Sequence, residues 1–357
     1  MKKLLLFILV IPSFGLIAQN TNQKLDSLIQ KKIIQYNIPS MVVSFITSEK
    51  CNYGIAGTTK TEGNQDVTLE DKYHLASNTK AITSLIAMKL VEDGKISLET
   101  TFIDVFPNLK KKISKDYYKI TLGDLLSHKA RIQPYTNGLE SLKLPEMKGT
   151  PSERRIAFAT FVLNEKTTPI GEYSNAGYAI ASLMLEKVSG KSFEGLIARC
   201  MQDLNFDHSI GFPNKTDENA PWGHYYEGDT QMSIPPDVEY GLEDYMLAAG
   251  DVSMNITDYS KLIQLHLNGL KGKNNYVSSS SYELMHYGID NYAYGWINFD
   301  RKGDKISTHD GTLGTFYSHV ILDPKNDFAA VILMNAGNKD QVQGLYELRQ
   351  EIIENMR

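Results

Sequence analysis

The sequence predicts an α+β fold: one antiparallel β-sheet flanked by the terminal helices, with a helical lobe set against it. Three observations carry this prediction. A helix-periodic stretch and a β-hairpin pattern open the chain, strand-like runs and a last helix close it, and the long middle is helical pieces joined by irregular loops. Bringing the two ends together as a single sheet leaves the middle as a second lobe, with a cleft between them. The α/β lobe is expected over about 19–60 and 291–357 and the helical lobe over about 61–290, with no repeat or low-complexity linker in the 357 residues.

The first residues stand apart from this fold. Met1-Lys2-Lys3 supplies positive charge ahead of an uncharged apolar run from Leu4 to Ile11, and small or polar residues follow through Ala18-Gln19. That is the layout of a secretory signal peptide, expected over 1–18. With no Cys near it, a lipid anchor is not expected, and no later stretch is long and apolar enough to span a membrane. The mature chain is expected to be exported, either periplasmic or secreted.

The remaining elements follow in order. Leu25, Leu28, Ile29 and Ile33 recur at helical spacing between Gln23 and Tyr36. Ser40 to Thr47 and Cys51 to Ala56 flank a short polar link and read as a hairpin. A helix opening near Ser77 is expected to stop at Gly94, a suitable left-handed cap. Gly177 to Val188, ending at Gly190, and Ile256 to Leu267 are further helices. Short β-rich runs occupy Lys305–Thr308, Phe316–Leu322 and Phe328–Met334, with turn chemistry at Asp323-Pro324-Lys325-Asn326 between the last two. A helix from about Asp340 to Asn355 closes the chain.

Composition excludes several functions. The formal charge is −5, and without Lys2 and Lys3 the balance is 35 basic against 42 acidic residues, or −7. A mildly acidic chain whose only basic run is Lys110-Lys111-Lys112 is not expected to bind nucleic acid. The eight His show no His-x-x-x-His spacing and the two Cys no Cys-x-x-Cys, so no metal and no cofactor is expected. Cys51 and Cys200 could pair in an oxidising compartment, although their separation in sequence does not establish contact. Oligomeric state has no sequence signal here.

Three motifs carry chemistry. Ser77-x-x-Lys80 opens the helix near residue 77, and residues three apart share a helix face. The hydroxyl and amine are then neighbours at a helix N-terminus, where the positive pole disfavours the ammonium and backbone N–H groups are free. A hydroxyl beside a potential base is the minimum for an activated nucleophile. Tyr173-x-Asn175 lies in a loop just before a helix, with Pro169 and Gly171 shaping the turn. Nearby cations could favour the Tyr173 phenolate for proton relay, and Asn175 offers an amide to substrate or to Lys80. The same spacing recurs at Tyr135-Thr136-Asn137, and Tyr173 is preferred for its place in a loop directly before a helix. His309-x-Gly311 follows a strand, with Gly311 suited to close approach of a ligand to the backbone. Strand alternation puts His309 and Gly311 on one face and Asp310 on the other, and a substrate along this edge could add main-chain hydrogen bonds.

In this order the three motifs resemble the serine β-lactamase and penicillin-binding superfamily, in the branch of class C β-lactamases, D-alanyl-D-alanine carboxypeptidases, D-aminopeptidases and related esterases. The likeness extends through Leu90 to Leu98, Thr121 to His128, Tyr173 to Lys191 and Ala248-Ala249-Gly250, and so over nearly all of the mature chain. It implies the β-lactamase/transpeptidase-like fold. It also implies Ser77 as acylated nucleophile, Lys80 as proton acceptor, Tyr173 as proton shuttle, Asn175 and His309 as substrate-positioning residues, and the N–H groups of Ser77 and Thr312 as oxyanion hole.

Departures bear on the substrate. His309 stands where many relatives carry Lys, so a fixed charge for a substrate carboxylate is missing and the ring is expected to be mostly neutral near pH 7. Lys129-Ala130-Arg131 replaces a usual Thr-Ser-Gly, and Arg131 could return a charge to the cleft. Leu313-Gly314-Thr315 replaces Thr-Pro-Gly, and Asp251 stands where Gly is frequent. An exported serine hydrolase for a small ester or a D-amino-acid peptide is the expected function. D-alanyl-D-alanine carboxypeptidase, β-lactamase and transpeptidase are alternatives, as is a non-catalytic binding protein on the same scaffold. His128 is expected to be a structural hydrogen-bonder, and Tyr292, Tyr294 and Trp296 packing aromatics.

Overall fold

In the computed structural model, residues 21–137, 140 and 144–356 are described. The signal-peptide expectation over 1–18 lies outside them. Helix α1 (Gln23–Tyr36) is capped by the Asn22 side chain and closed by Asn37 in the left-handed conformation. Strands β1 (Ser40–Ile46) and β2 (Cys51–Gly57) form the expected hairpin. Helix α2 (Thr79–Glu92) follows a 3-10 turn over Ala76–Asn78. Helix α3 (Asn175–Ser189) ends at Gly190, and α4 (Ile256–Leu270) and α5 (Ser279–Tyr287) come next. Strands β3 (Ile297–Arg301), β4 (Asp304–Thr312), β5 (Tyr317–Asp323) and β6 (Phe328–Met334) then lead into α6 (Lys339–Met356).

The six strands form one antiparallel sheet in the order β2-β1-β6-β5-β4-β3. Strand β6 is buried throughout, and its alternation divides two cores. Ala330, Ile332 and Met334 meet Leu25, Ile29 and Ile33 of α1 and Leu345, Leu348 and Ile352 of α6. Ala329, Val331 and Leu333 belong to the larger core that includes Tyr259, Leu262, Ile263 and Leu267 of α4. Helix α4 thus packs on the sheet against β1, β2 and β6, although it falls in the sequence span assigned to the helical lobe.

Several elements differ from expectation. Strand β3 was not anticipated: it is an edge strand with Ile297 and Phe299 partly exposed, so it has no buried alternation to detect. A small sheet joins Lys72–His74, Val252–Asn255 and Ser209–Ile210, and a hairpin pairs His224–Glu227 with Thr230–Ser233, all too short for periodicity to reveal. Cys51 and Cys200 are both free thiols. Among the described residues no helix is long and apolar enough to cross a membrane.

Candidate active site

From Tyr73 to Met88 every residue is buried except Ser77. Ser77 sits in the 3-10 turn and Lys80 in the first turn of α2. The turn is gripped from the sheet: Ser318 Oγ donates to the Leu75 carbonyl at 2.6 Å and accepts from Asn78 Nδ2 at 2.7 Å. It is gripped from the other side as well. Thr83 Oγ1 donates to the Ala248 carbonyl at 2.8 Å, and Val252 N donates to Thr79 Oγ1 at 3.1 Å.

Lys80 Nζ lies 3.2 Å from Ser77 Oγ, 2.7 Å from Asn175 Oδ1 and 2.6 Å from the Ala249 carbonyl. All three partners are uncharged, and the side chain is fully buried. Burial therefore drives the amine well below its ordinary pKa. The sequence reading invoked the helix pole for this effect, whereas desolvation without a counter-ion is the cause found here.

Asn175 opens α3, its N–H donating to the Pro134 carbonyl at 2.8 Å and its Nδ2 to the Tyr135 carbonyl at 2.9 Å. This resolves the two Tyr-x-Asn segments. Tyr135 turns its hydroxyl away to Glu165 Oε2 at 2.7 Å and serves the site only through its backbone. The Tyr173 ring instead faces Lys80 Nζ, with 4.7 Å from nitrogen to ring centroid. Its hydroxyl is buried beside that of Ser77. Burial pushes the phenol up, partly opposed by the Ser77 hydroxyl beside it, so Tyr173 keeps its proton at neutral pH. The expected bias toward phenolate is overturned.

His309 is 2 % exposed. Its Nδ1 lies 2.8 Å from the Asp310 carbonyl, which can only accept, so Nδ1 carries the proton. Its Nε2 lies 3.1 Å from Tyr292 Oη. Burial, the leading cause, lowers the ring to about 4. Asp310 points to the opposite face, against His319 Nδ1 at 2.7 Å and Tyr346 Oη of α6 at 2.8 Å.

Gly311 corrects a further expectation. A Cβ there would lie 2.1 Å from the Leu75 carbonyl oxygen, 2.6 Å from Ser318 Oγ and 2.9 Å from Ser77 N. What approaches this backbone closely is the nucleophile's own turn. Nor is β4 an open edge throughout, because β3 pairs with it as far as Thr308 and only His309–Thr312 extend beyond. Gly295 makes a similar contact on α2, where a Cβ would lie 2.8 Å from the Lys80 carbonyl oxygen.

A cavity of about 480 Å³ opens over Ser77, walled by Pro134, Thr136, Glu172, Tyr173, Asn175, Leu242, Gly250, Thr312 and Leu313 among others. It brings Ser77, Tyr173, Asn175 and Thr312 to one surface. Lys80, His309 and Gly311 lie behind that surface, so His309 does not wall the cavity. Arg131 is also away from it, donating from Nε to the Thr168 carbonyl at 3.0 Å and from Nη2 to Thr167 Oγ1 at 3.2 Å. Among the described residues no group of three or more His, Cys, Asp or Glu side chains is placed to hold a metal.

A β-lactamase family model matches residues 25–352, nearly the whole described chain. The chain belongs to the β-lactamase family. This family is part of a serine hydrolase superfamily in which individual members can be non-catalytic. The chain is 26 % identical over 361 residues to protein flp of Staphylococcus aureus, covering 96 % of this chain and 68 % of that protein. Its fold is similar to a class C β-lactamase from Rhodobacter sphaeroides, with a TM-score of 0.73, 18 % identity and coverage of 93 % and 100 % of the two chains. It is also similar to the octameric penicillin-binding protein homologue from Pyrococcus abyssi, with a TM-score of 0.71, 24 % identity and coverage of 88 % and 73 %.

In this β-lactamase-family chain the loops around the nucleophile carry unusual backbone. Ala76, His128, Arg131 and Tyr135 all have positive φ, at 46°, 60°, 58° and 50°. His128 Nδ1 accepts from Ser174 N at 3.1 Å, and its ring packs 4.3 Å from that of Tyr173. Asp251 meets His74 Nε2 at 3.0 Å. The altered Leu313-Gly314-Thr315 loop is tied by the Tyr240 hydroxyl, which donates to the Leu313 carbonyl. Sequence reasoning missed Tyr292 as a partner of His309 and the carbonyls of Tyr135 and Ala249 as anchors of the motif residues. Backbone groups leave no trace in residue identity, and Tyr292 looked like any packing aromatic.

Proposed function

We propose that this chain is an exported serine hydrolase that forms an acyl-enzyme on Ser77 from a small ester or from an amide such as a D-amino-acid peptide. The observation that carries the reading is the buried Lys80 amine, 3.2 Å from Ser77 Oγ and bonded only to uncharged groups. An amine so placed is free to accept a proton at neutral pH. Ser77 Oγ attacks the substrate carbonyl as its proton passes to Lys80 Nζ. The carbonyl oxygen, now negative, is received by the N–H groups of Ser77 and Thr312, donors of a kind that contribute about 10²–10³ in rate each. As the bond to the leaving group breaks, the Tyr173 hydroxyl gives that group a proton and is resupplied from Lys80. Water then repeats the sequence in reverse and frees the acid.

The cavity wall supports a neutral substrate over an anionic one. Among the described residues that line it, Glu172 is the one charged side chain and none is Lys or Arg, while His309 is neutral and does not wall it. Among the described residues of this wall, a carboxylate of the kind carried by penicillins or D-Ala-D-Ala peptides meets no fixed cation. β-Lactam hydrolysis and carboxypeptidase activity therefore rank below ester or small-amide hydrolysis.

The test is hydrolysis of a short-chain nitrophenyl ester by the mature protein and by Ser77→Ala, with intact mass followed during turnover. Turnover by the parent, at least about 10³-fold loss in the variant, and an acyl adduct only on the parent are expected. Equal turnover by both proteins defeats the assignment. No turnover and no adduct with esters, D-amino-acid peptides or penicillin points instead to a binding role on this scaffold.

A further inference from the structure

Tyr292 belongs to none of the three motifs, yet its hydroxyl reaches His309 Nε2 at 3.1 Å. Since His309 Nδ1–H is committed to the Asp310 carbonyl, Nε2 holds the lone pair and Tyr292 is its donor. Both nitrogens of the third-motif histidine are thereby occupied within the protein. The Tyr292 ring also packs 4.3 Å from His128 and stands edge-on to Tyr173, with centroids 6.0 Å apart and planes at 86°. His128 in turn lies 4.3 Å from Tyr173 on a further contact. Tyr173 needs such support. Besides the Ser77 hydroxyl next to its own, ring contacts and Lys80 Nζ, 4.7 Å from the centroid, hold the phenol in place. Tyr292 does not wall the cavity over Ser77; it faces a separate hollow with Ser127, Lys129 and Ile170.

We infer that Tyr292 is a positioning residue for acyl transfer: with His128 its ring sets the pose of Tyr173 toward Lys80 and Ser77. The inference rests on the acyl-enzyme reading above. Because Tyr292 touches neither the cavity nor Ser77, its loss acts on the chemical step and leaves substrate affinity alone. Misplacement of a catalytic group by about 1 Å is enough to cost about 10²-fold in rate.

The experiment compares kcat and KM for the nitrophenyl ester in the parent, Tyr292→Leu and Tyr292→Phe, each checked for folding by thermal melting. Tyr292→Leu is expected to lower kcat by about 10- to 100-fold with KM within about twofold, at a melting temperature that keeps the protein folded under assay conditions. Tyr292→Phe keeps the ring and is expected to recover most of the lost kcat. A Leu variant with parental kcat overturns the inference. So does a Leu variant whose KM rises in step with the fall in kcat, or a Phe variant no better than Leu. An inactive parent is a different result: it defeats the acyl-enzyme reading itself, and this inference falls with it.

Discussion

At the scale of single residues, the site is held by contacts that side-chain chemistry alone does not announce. Gly311 is the sharpest case, since a methyl group there would overlap the Leu75 carbonyl and crowd Ser77 N. Gly311→Ala is expected to destabilise the fold by about 1–3 kcal/mol, the usual cost of overpacking. Ester turnover is expected to fall by at least about tenfold, because the obstructed backbone carries the nucleophile. Melting temperature and kcat measured together check this, and a variant unchanged in both would show that the turn adapts freely. Ser77 and Lys80 were legible in the sequence because three residues along a helix is a local distance. Their neutral environment was not, because it is made by Asn175 and Ala249, 95 and 169 residues further along the chain.

At the scale of elements, α4, α5 and β4 are joined by a buried chain. His266 Nδ1 meets His286 Nε2 at 2.9 Å, and His286 Nδ1 meets Ser307 Oγ at 2.6 Å. Burial lowers His266 to about 3, and burial followed by the neighbouring His266 lowers His286 well below its ordinary value. Unfolded histidines bind protons near pH 6.5, while these rings, and His309 at about 4, do not. The unfolded state therefore binds more protons from about pH 6.5 downward, and stability falls with pH across that window until the native rings titrate. For His266 and His309 the loss is on the order of 3 kcal/mol each. Urea midpoints are expected to drop steadily from pH 7 to pH 4. A midpoint independent of pH over that range would mean that the rings protonate without cost to the fold.

At the scale of the whole molecule, the fold was legible where burial imposes a period. The terminal helices α1 and α6 and the strands β1, β5 and β6 all have a buried face, and their spans, with that of the half-buried β2, were anticipated to within a few residues. Strand β4 was anticipated only over Lys305–Thr308, and its extension to Thr312 is the part that carries His309 and Gly311. Edge strand β3 and the short pairings beside α2 were invisible because two to five residues cannot display a pattern. The candidate site shows the same division. Motif residues could be listed from spacing, but which of them reach the cavity depends on how strand and helix nest, and that placed His309 behind the wall instead of on it.

The left-handed residues around Ser77 have a consequence for how the molecule ages under heat. Of the non-glycine residues with positive φ, Asn37, Asn205, Asn291 and Asp327 are types that tolerate it, and Lys302 sits in the turn between β3 and β4. His128 is a tolerant type too and Arg131 lies away from the cavity, but Ala76 adjoins the nucleophile and Tyr135 anchors Asn175 through its carbonyl, and each of these two holds on the order of 1 kcal/mol of conformational strain. Warming gives these loops the most to gain by letting go. Ester turnover is accordingly expected to fade several degrees before circular dichroism reports melting, and coincident loss of the two signals would contradict this. The working surface would then be the molecule's fuse, failing first and leaving the scaffold able to recover it on cooling.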